Sequence, residues 1–402
     1  MVAQGLSFPT SMAFINDKGI LVLEKDKGTV RLVSVDDDSL LKKEEEHILK
    51  VNVNAKGERG LLGVDTIINN YARSNHPTTE VFLYYTESDP LRNRIYKYQW
   101  NEEEKEQKLV NPQLILDLPT EPGPYHQGGK LKVGPDNEFL YAAIGDLVSP
   151  NSKLQNYKNG KEPNDTSVIL RISLDNSSSA ADKNNNNVHN IFCYTNNTND
   201  IEKGSNKHYC YYAYGIRNSF GLAFDPITGH LWDTENGEDS YDEINLVKPG
   251  FNSGWIQVMG PINRNNNNNN DNNTVQANLV NFTNSHYADP VFSWKYQIGV
   301  TDIEFLNSSK LGTKYRNNIF VGDINYGNLY YFEVNDSRTG IEIDPISAPS
   351  GLADLVAEDN SESSAIMFGS NFGRITDIET GPDGFLYILS FENGKIYRII
   401  PS

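Results

Sequence analysis

One pattern recurs six times along this chain and limits what it can fold into. It reads polar loop, short apolar strand, turn rich in Gly, Pro or Asp, second apolar strand, polar loop carrying Gly or Asp, then a strand ending in aliphatic and aromatic residues. The first copy uses Pro9-Thr10-Ser11-Met12-Ala13-Phe14, Gly19–Leu23 and Thr29–Val33. The second starts at Glu58-Arg59-Gly60-Leu61-Leu62-Gly63 and continues through Val81–Tyr85 and Arg94–Tyr98. The third is built on Tyr125-His126-Gln127-Gly128-Gly129-Lys130-Leu131, Phe139–Ile144 and Val168–Ile172. The fourth starts at Arg217-Asn218, the fifth at Gly299-Val300-Thr301-Asp302-Ile303 and the sixth at Gly373-Arg374-Ile375. Repeats of about 40 to 50 residues made of short strands indicate a β-propeller in which each repeat is one blade. The expectation is therefore an all-β chain, a six-bladed β-propeller with four-stranded blades, forming a single domain over 1–402. The sixth copy has room for only three strands before Ser402, so a strand around Val2–Leu6 is expected to complete it. A two-domain sandwich would leave the even spacing unexplained.

Insertions near 150–212 and 260–290, with the Asn runs Asn184–Asn187 and Asn265–Asn270, are expected to protrude as loops. Polar tracts of this kind bury too little apolar area to order themselves. The formal charge of −18 argues against nucleic acid, which needs a basic surface, and suits a small neutral substrate beside a cation. No run of about eighteen apolar residues occurs, so no membrane span is expected. Seven N-x-S/T triplets (Asn164, Asn176, Asn196, Asn272, Asn281, Asn307, Asn335) and a single cysteine pair, Cys193 and Cys210, fit a secreted glycoprotein. The chain opens Met1-Val2-Ala3-Gln4 without a signal peptide, so an extracellular or periplasmic location with the leader removed is expected.

Strands of a blade alternate in direction. The loop leading into a first strand and the loop between the second and third strands therefore share one face. That face collects Glu58, Arg59, His126, Arg217, Asn218, Thr301, Asp302 and Arg374 from the first kind of loop. From the second kind it collects Asp146, the Glu235–Asp242 segment, Asp323, Asn325 and Tyr326. First strands line the channel, so these groups converge at its mouth. His126 sits on a glycine-flanked loop where a ligand can approach closely, and its imidazole exchanges a proton near neutral pH. Two arginines and an acidic loop suit an anionic ligand beside a cation. Calcium accepts backbone carbonyls as well as carboxylates. No P-loop or dinucleotide fingerprint opens a βαβ unit, and two cysteines cannot build a Cys-based zinc cluster.

Four sets of residues carry a family resemblance. They are His126-Gln127-Gly128-Gly129-Lys130-Leu131 with Gly134-Pro135-Asp136; Gly215-Ile216-Arg217-Asn218 with Gly221-Leu222-Ala223-Phe224-Asp225-Pro226; Asp242-Glu243-Ile244-Asn245 with Gly254-Trp255; and Gly373-Arg374-Ile375 with Asp377 and Gly381-Pro382-Asp383-Gly384. Together with Glu58–Gly63 they resemble, in order and over nearly the whole chain, the soluble glucose/sorbosone dehydrogenases, whose fold is a six-bladed propeller. These include aldose sugar dehydrogenases that use pyrroloquinoline quinone (PQQ) with Ca2+. The resemblance implies oxidation of an aldose at its anomeric carbon to a lactone, with His126 as general base, hydride transfer to the quinone and an external electron acceptor. It places Arg217, Asn218, Arg374, Glu58 and Asn325 at the cofactor, and assigns the calcium to main-chain oxygens of Gly237 and Glu238. The chain departs from the pattern at Tyr125, Phe220, Asn325 and Thr376, two of which replace cations beside a tricarboxylate. The alternative is a non-catalytic propeller binding sugar or a cell-surface partner, with the cofactor site decayed. A third reading is a calcium-dependent lactone hydrolase using the same channel.

Overall fold

The structure, a computed structural model, describes residues 1–35, 47–69, 78–102, 107–149, 151–174, 193–194, 209–262, 276–343 and 350–401. The Asn-rich runs lie outside these residues. Nearly all regular structure is β, in six sheets that follow one another along the chain. Sheet I holds Pro9–Phe14, Gly19–Glu24, Thr29–Ser34 and His47–Lys50; sheet II holds Leu61–Asn69, Thr78–Ser88, Leu91–Asn101 and Lys108–Leu118. Sheet III is built on Leu131–Val133, Phe139–Ile144, Val168–Ser173 and Tyr209–Tyr214, and sheet IV on Ser219–Phe224, Leu231–Glu235, Asp242–Val247 and Phe292–Trp294. Sheet V has Val300–Phe305, Ile319–Asp323, Leu329–Val334 and Ile341–Glu342; sheet VI has Ile375–Thr380, Leu386–Ser390 and Lys395–Ile399. The strand expected near Val2–Leu6 is Ala3–Gln4, and it pairs antiparallel with Lys395–Ile399.

Three sheets carry outer strands that no repeat announces. Phe251–Asn252 and His286–Tyr287 extend sheet III in parallel, Val356–Ala357 extends sheet IV in parallel, and Met367–Gly369 shares Leu329–Val334 in sheet V. These segments are two or three residues long, too short to show a period. Cys193 lies across the ladder from Cys210, and Cys210 is disulfide-bonded.

The apolar core is divided among the sheet-to-sheet interfaces. Leu21, Leu23 and Val30 of sheet I pack with Val81, Leu83 and Tyr85 of sheet II; Phe82 and Tyr84 of sheet II pack with Leu140, Ala142 and Leu170 of sheet III. Ala143 and Ile169 meet Leu222 and Leu231 between sheets III and IV, and Trp232, Phe292 and Trp294 meet Phe305, Tyr330 and Phe332 between IV and V. Phe320 and Leu329 of sheet V join Ile378, Leu386 and Ile388 of sheet VI, and Met12, Ile20 and Val22 of sheet I join Tyr387 and Leu389 of sheet VI. A middle strand covered on both faces favours apolar residues at every position, which is why Phe139–Ile144 reads as a continuous hydrophobic run rather than an alternation.

The first strands of successive sheets touch one another from I through VI, and that of VI touches that of I. Alternation along three of them sets charged residues two apart. Lys130 Nζ lies 2.8 Å from both Asp302 Oδ2 and Asp377 Oδ1; one layer along, Lys132 Nζ lies 3.7 Å from Glu304 and 3.5 Å from Glu379. The ion network thus ties sheet III to sheets V and VI.

Candidate active site

The local fold sets His126 up through its backbone. Its φ of 55° lies in the left-handed region, as do Leu147 and Val148 at 54° and 59°. Non-glycine residues seldom adopt this conformation, least of all a β-branched valine, so the surrounding contacts must hold it. The His126 N–H donates to Glu58 Oε2 at 2.7 Å, and its carbonyl accepts the Leu147 N–H at 3.3 Å. Gly145 makes the approach possible, because a Cβ there would stand 2.2 Å from the His126 carbonyl oxygen.

The ring is oriented by one carboxylate. His126 Nδ1 lies 2.6 Å from Asp146 Oδ1, which also accepts the Val148 N–H at 2.8 Å, while Asp146 Oδ2 accepts from Trp255 Nε1 at 2.8 Å. Asp146 is 2% exposed, and both its carboxylate oxygens accept hydrogen bonds. The acceptor at Nδ1 fixes that nitrogen as the protonated one and leaves the lone pair on Nε2. No hydrogen bond from the described residues engages Nε2.

Next to this dyad, Glu58 Oε2 also accepts from Asn218 Nδ2 at 3.2 Å. Arg217 stacks on the Trp255 ring with 5.5 Å from guanidinium carbon to centroid and donates to the Asn236 carbonyl at 3.2 Å. Its backbone N–H bonds Glu235 Oε1 at 2.6 Å, and Ser253 Oγ bonds Glu235 Oε2 at 2.5 Å. Burial pushes the Glu235 carboxyl up to about 7, and burial together with Glu235 raises Asp233 and Glu243 well above the carboxylate range. This is a buried acidic group packed behind the arginine. Arg217 Nε and Asn218 Oδ1 are buried and have no partner among the described residues, as expected of polar atoms awaiting a ligand.

The structure thus links Glu58, His126 and Asn218 directly, and Arg217 to them through Trp255 and Asp146. Gly237 and Glu238 connect through Asn236 and through Gln297, whose Nε2 donates to the Gly237 and Glu238 carbonyls at 2.6 and 2.8 Å. Asn325 is exposed, and among the described residues its side chain reaches only the Gln297 carbonyl, at 3.5 Å. Arg374 is exposed just before Ile375–Thr380, and its side chain has no partner among the described residues. Arg59 turns inward instead: it is 4% exposed and bonds Thr120, Glu121 and the Gly123 carbonyl, clamping the loop that leads to His126. Thr376 Oγ1 donates to the Pro9 carbonyl at 2.9 Å and carries no charge to the mouth. Sequence reasoning gave no role to Trp255, although Gly254-Trp255 marked it, and missed Gln297, for which no signal exists. No helix among the described residues is long and apolar enough to cross a membrane.

Comparison with known proteins places this arrangement. The profile of the Glucose / Sorbosone dehydrogenase family matches residues 6–398, and the chain belongs to that family. It is 29% identical over 191 residues to aldose sugar dehydrogenase YliI of Escherichia coli, a match covering 47% of this chain and 43% of that protein. It is 28% identical over 283 residues to quinoprotein glucose dehydrogenase B of Acinetobacter calcoaceticus, covering 65% of this chain and 52% of that one. Among solved structures, the PQQ-bound aldose sugar dehydrogenase of Streptomyces coelicolor superposes with a TM-score of 0.65 at 21% identity, covering 99% of this chain and 95% of that one. At that identity the likeness speaks for the fold.

Proposed function

We propose that the chain is a PQQ-dependent aldose dehydrogenase, with calcium at the Gly237–Glu238 carbonyls, oxidising a sugar at its anomeric carbon to a lactone. In this reading the six sheets are six blades of one closed propeller domain spanning 1–402, with the insertions near 150–212 and 260–290 as loops. The observation that carries the function is the His126–Asp146 pair, 2.6 Å apart, with Nε2 unengaged among the described residues and Arg217 stacked on the Trp255 ring that bonds the same carboxylate. The donor set suits a tricarboxylate: among the described residues the Arg374 side chain and Arg217 Nε have no partner.

When bound, PQQ supplies an electrophilic quinone that accepts the hydride leaving the anomeric carbon. His126 Nε2 takes the proton of the anomeric hydroxyl as the C=O bond forms. Asp146 stabilises the imidazolium produced and Trp255 keeps that carboxylate in place. Arg217, Asn218, Arg374, Glu58 and Asn325 would hold and orient the cofactor. The two electrons leave to an external acceptor. An extracellular or periplasmic setting suits this chemistry, and the exposed sequon residues Asn164, Asn281 and Asn307 are open to glycans.

The test is to add PQQ and Ca2+ to the purified protein and follow dye reduction with a panel of aldoses. His126→Asn keeps shape and a hydrogen bond but removes the base, and the rate is expected to fall by about 10²–10⁴. Full activity in that variant overturns the catalytic assignment. The second reading, a binding-only propeller, draws on Thr376 being engaged by Pro9 and on Asn325 carrying no charge. It takes over if neither PQQ binding nor turnover is found.

A further inference from the structure

Two carbonyl oxygens converging on one point are an unusual arrangement. Here that point is filled by a side chain of the protein itself. The Gln297 amide nitrogen lies 2.6 Å from the Gly237 oxygen and 2.8 Å from the Glu238 oxygen, so both its protons go to this one pair. Calcium sits 2.3–2.6 Å from oxygen ligands of the same kind. An amide nitrogen and a calcium ion cannot both occupy the space between two such oxygens.

The backbone on either side is pinned independently of Gln297. Asp242 Oδ1 accepts the Gly237 N–H at 3.1 Å, and its Oδ2 accepts the Gly299 and Val300 N–H groups at 2.7 and 3.3 Å. Asn325 N–H bonds the Ile298 carbonyl at 3.3 Å, tying the segment to the loop of sheet V. Gln297 is half-buried between exposed Tyr296 and buried Ile298. Its side chain can therefore turn outward while the carbonyl pair stays in register.

We propose that Gln297 is a tethered competitor for the cation. It satisfies the Gly237 and Glu238 carbonyls in the metal-free protein, keeps them preorganised, and must rotate away for a divalent cation to bind. The inference rests on the calcium reading of the preceding subsection. Its consequence is a calcium affinity lower than the same carbonyl pair would show unopposed.

The experiment is calorimetric titration of CaCl2 into PQQ-loaded protein, with terbium luminescence as a second readout that does not depend on turnover. Loss of two neutral hydrogen bonds in Gln297→Ala is expected to tighten calcium binding about tenfold. Gln297→Glu cannot donate to the carbonyls and adds an oxygen ligand, so it is expected to bind more tightly still. Tyr296→Ala, a neighbouring exposed position, should match the wild type. Equal affinities in wild type and Gln297→Ala overturn the competitor role and leave the calcium site standing. Weaker binding in Gln297→Ala also overturns it, making Gln297 a ligand instead. Absence of binding in all four proteins overturns both this inference and the calcium reading.

Discussion

Lys130 and Asp377 stand 247 positions apart, yet Lys130 Nζ lies 2.8 Å from Asp377 Oδ1. The bond joins the first strand of sheet VI to the residue just before the first strand of sheet III. Asp377 reaches further, accepting from Ser11 Oγ at 2.7 Å and from the Met12 N–H at 2.6 Å in sheet I. Although burial opposes it, Lys130 is the main reason Asp377 is held down at about 2; burial raises Asp302, on the other side of Lys130, well above its ordinary range. One lysine thus serves two buried carboxylates at the centre of the molecule.

Lys130→Met keeps the length of the side chain and removes the charge. Breaking a buried ion pair by removing one partner typically costs about 3–5 kcal/mol, because the other charge stays buried without compensation. The variant is expected to unfold at clearly lower denaturant than the wild type. Lys130→Met/Asp302→Asn/Asp377→Asn should recover part of the loss. A single variant as stable as the wild type would show that the network contributes nothing to holding sheets III, V and VI together.

A pH dependence follows from the acidic group behind Arg217. Burial raises Glu235 to about 7 and places Asp233 and Glu243 above their ordinary range. Between a carboxyl group's ordinary value and its raised one, the unfolded chain has released the proton and the folded protein still holds it. Raising pH through this window therefore favours the unfolded state. Thermal midpoints are expected to fall from pH 5 to pH 8, and Glu235→Gln is expected to fall less steeply because one titrating group is gone. Parallel curves for wild type and variant would remove Glu235 from the account.

The repeat was legible because most inner and middle strands carry five or more patterned residues between Gly, Pro or Asp turns, as in Phe139–Ile144 after Gly134-Pro135-Asp136. Strands such as Val356–Ala357 were not, since two residues have no period and their parallel pairing is a tertiary choice. At the site, topology alone brought His126 and Asp146 to one face, where they are in contact. Topology alone did not separate Arg59 from Arg217, because both are arginines on loops leading into first strands; only the family resemblance assigned Arg217 and not Arg59 to the cofactor. What separates them is their partners: Arg59 is spent on Thr120, Glu121 and Gly123, whereas Arg217 Nε has none among the described residues. Gln297 sits outside every repeat motif, and only its two distances reveal it.

That difference in what each arginine already holds sets the last prediction. Arg374 is exposed and free of partners among the described residues, so the fold does not depend on its guanidinium. Arg217 stacks on Trp255 and bonds the Asn236 carbonyl, so the fold does use it. A charge-assisted hydrogen bond to a cofactor carboxylate is worth about 1.5–3 kcal/mol, or roughly 10–150-fold in affinity. Arg374→Ala is therefore expected to weaken PQQ binding by that factor while the thermal midpoint of the cofactor-free protein stays within about 1 °C, as is usual for exposed substitutions. Arg217→Ala is expected to weaken PQQ binding and to lower the midpoint as well, because it strips the Trp255 face and leaves the Asn236 carbonyl unpaired. Fluorescence titration with PQQ and thermal unfolding, run on both variants, separate the two effects. An Arg374→Ala protein that binds PQQ as the wild type does would remove Arg374 from the cofactor site and leave Arg217 as the cation that holds it.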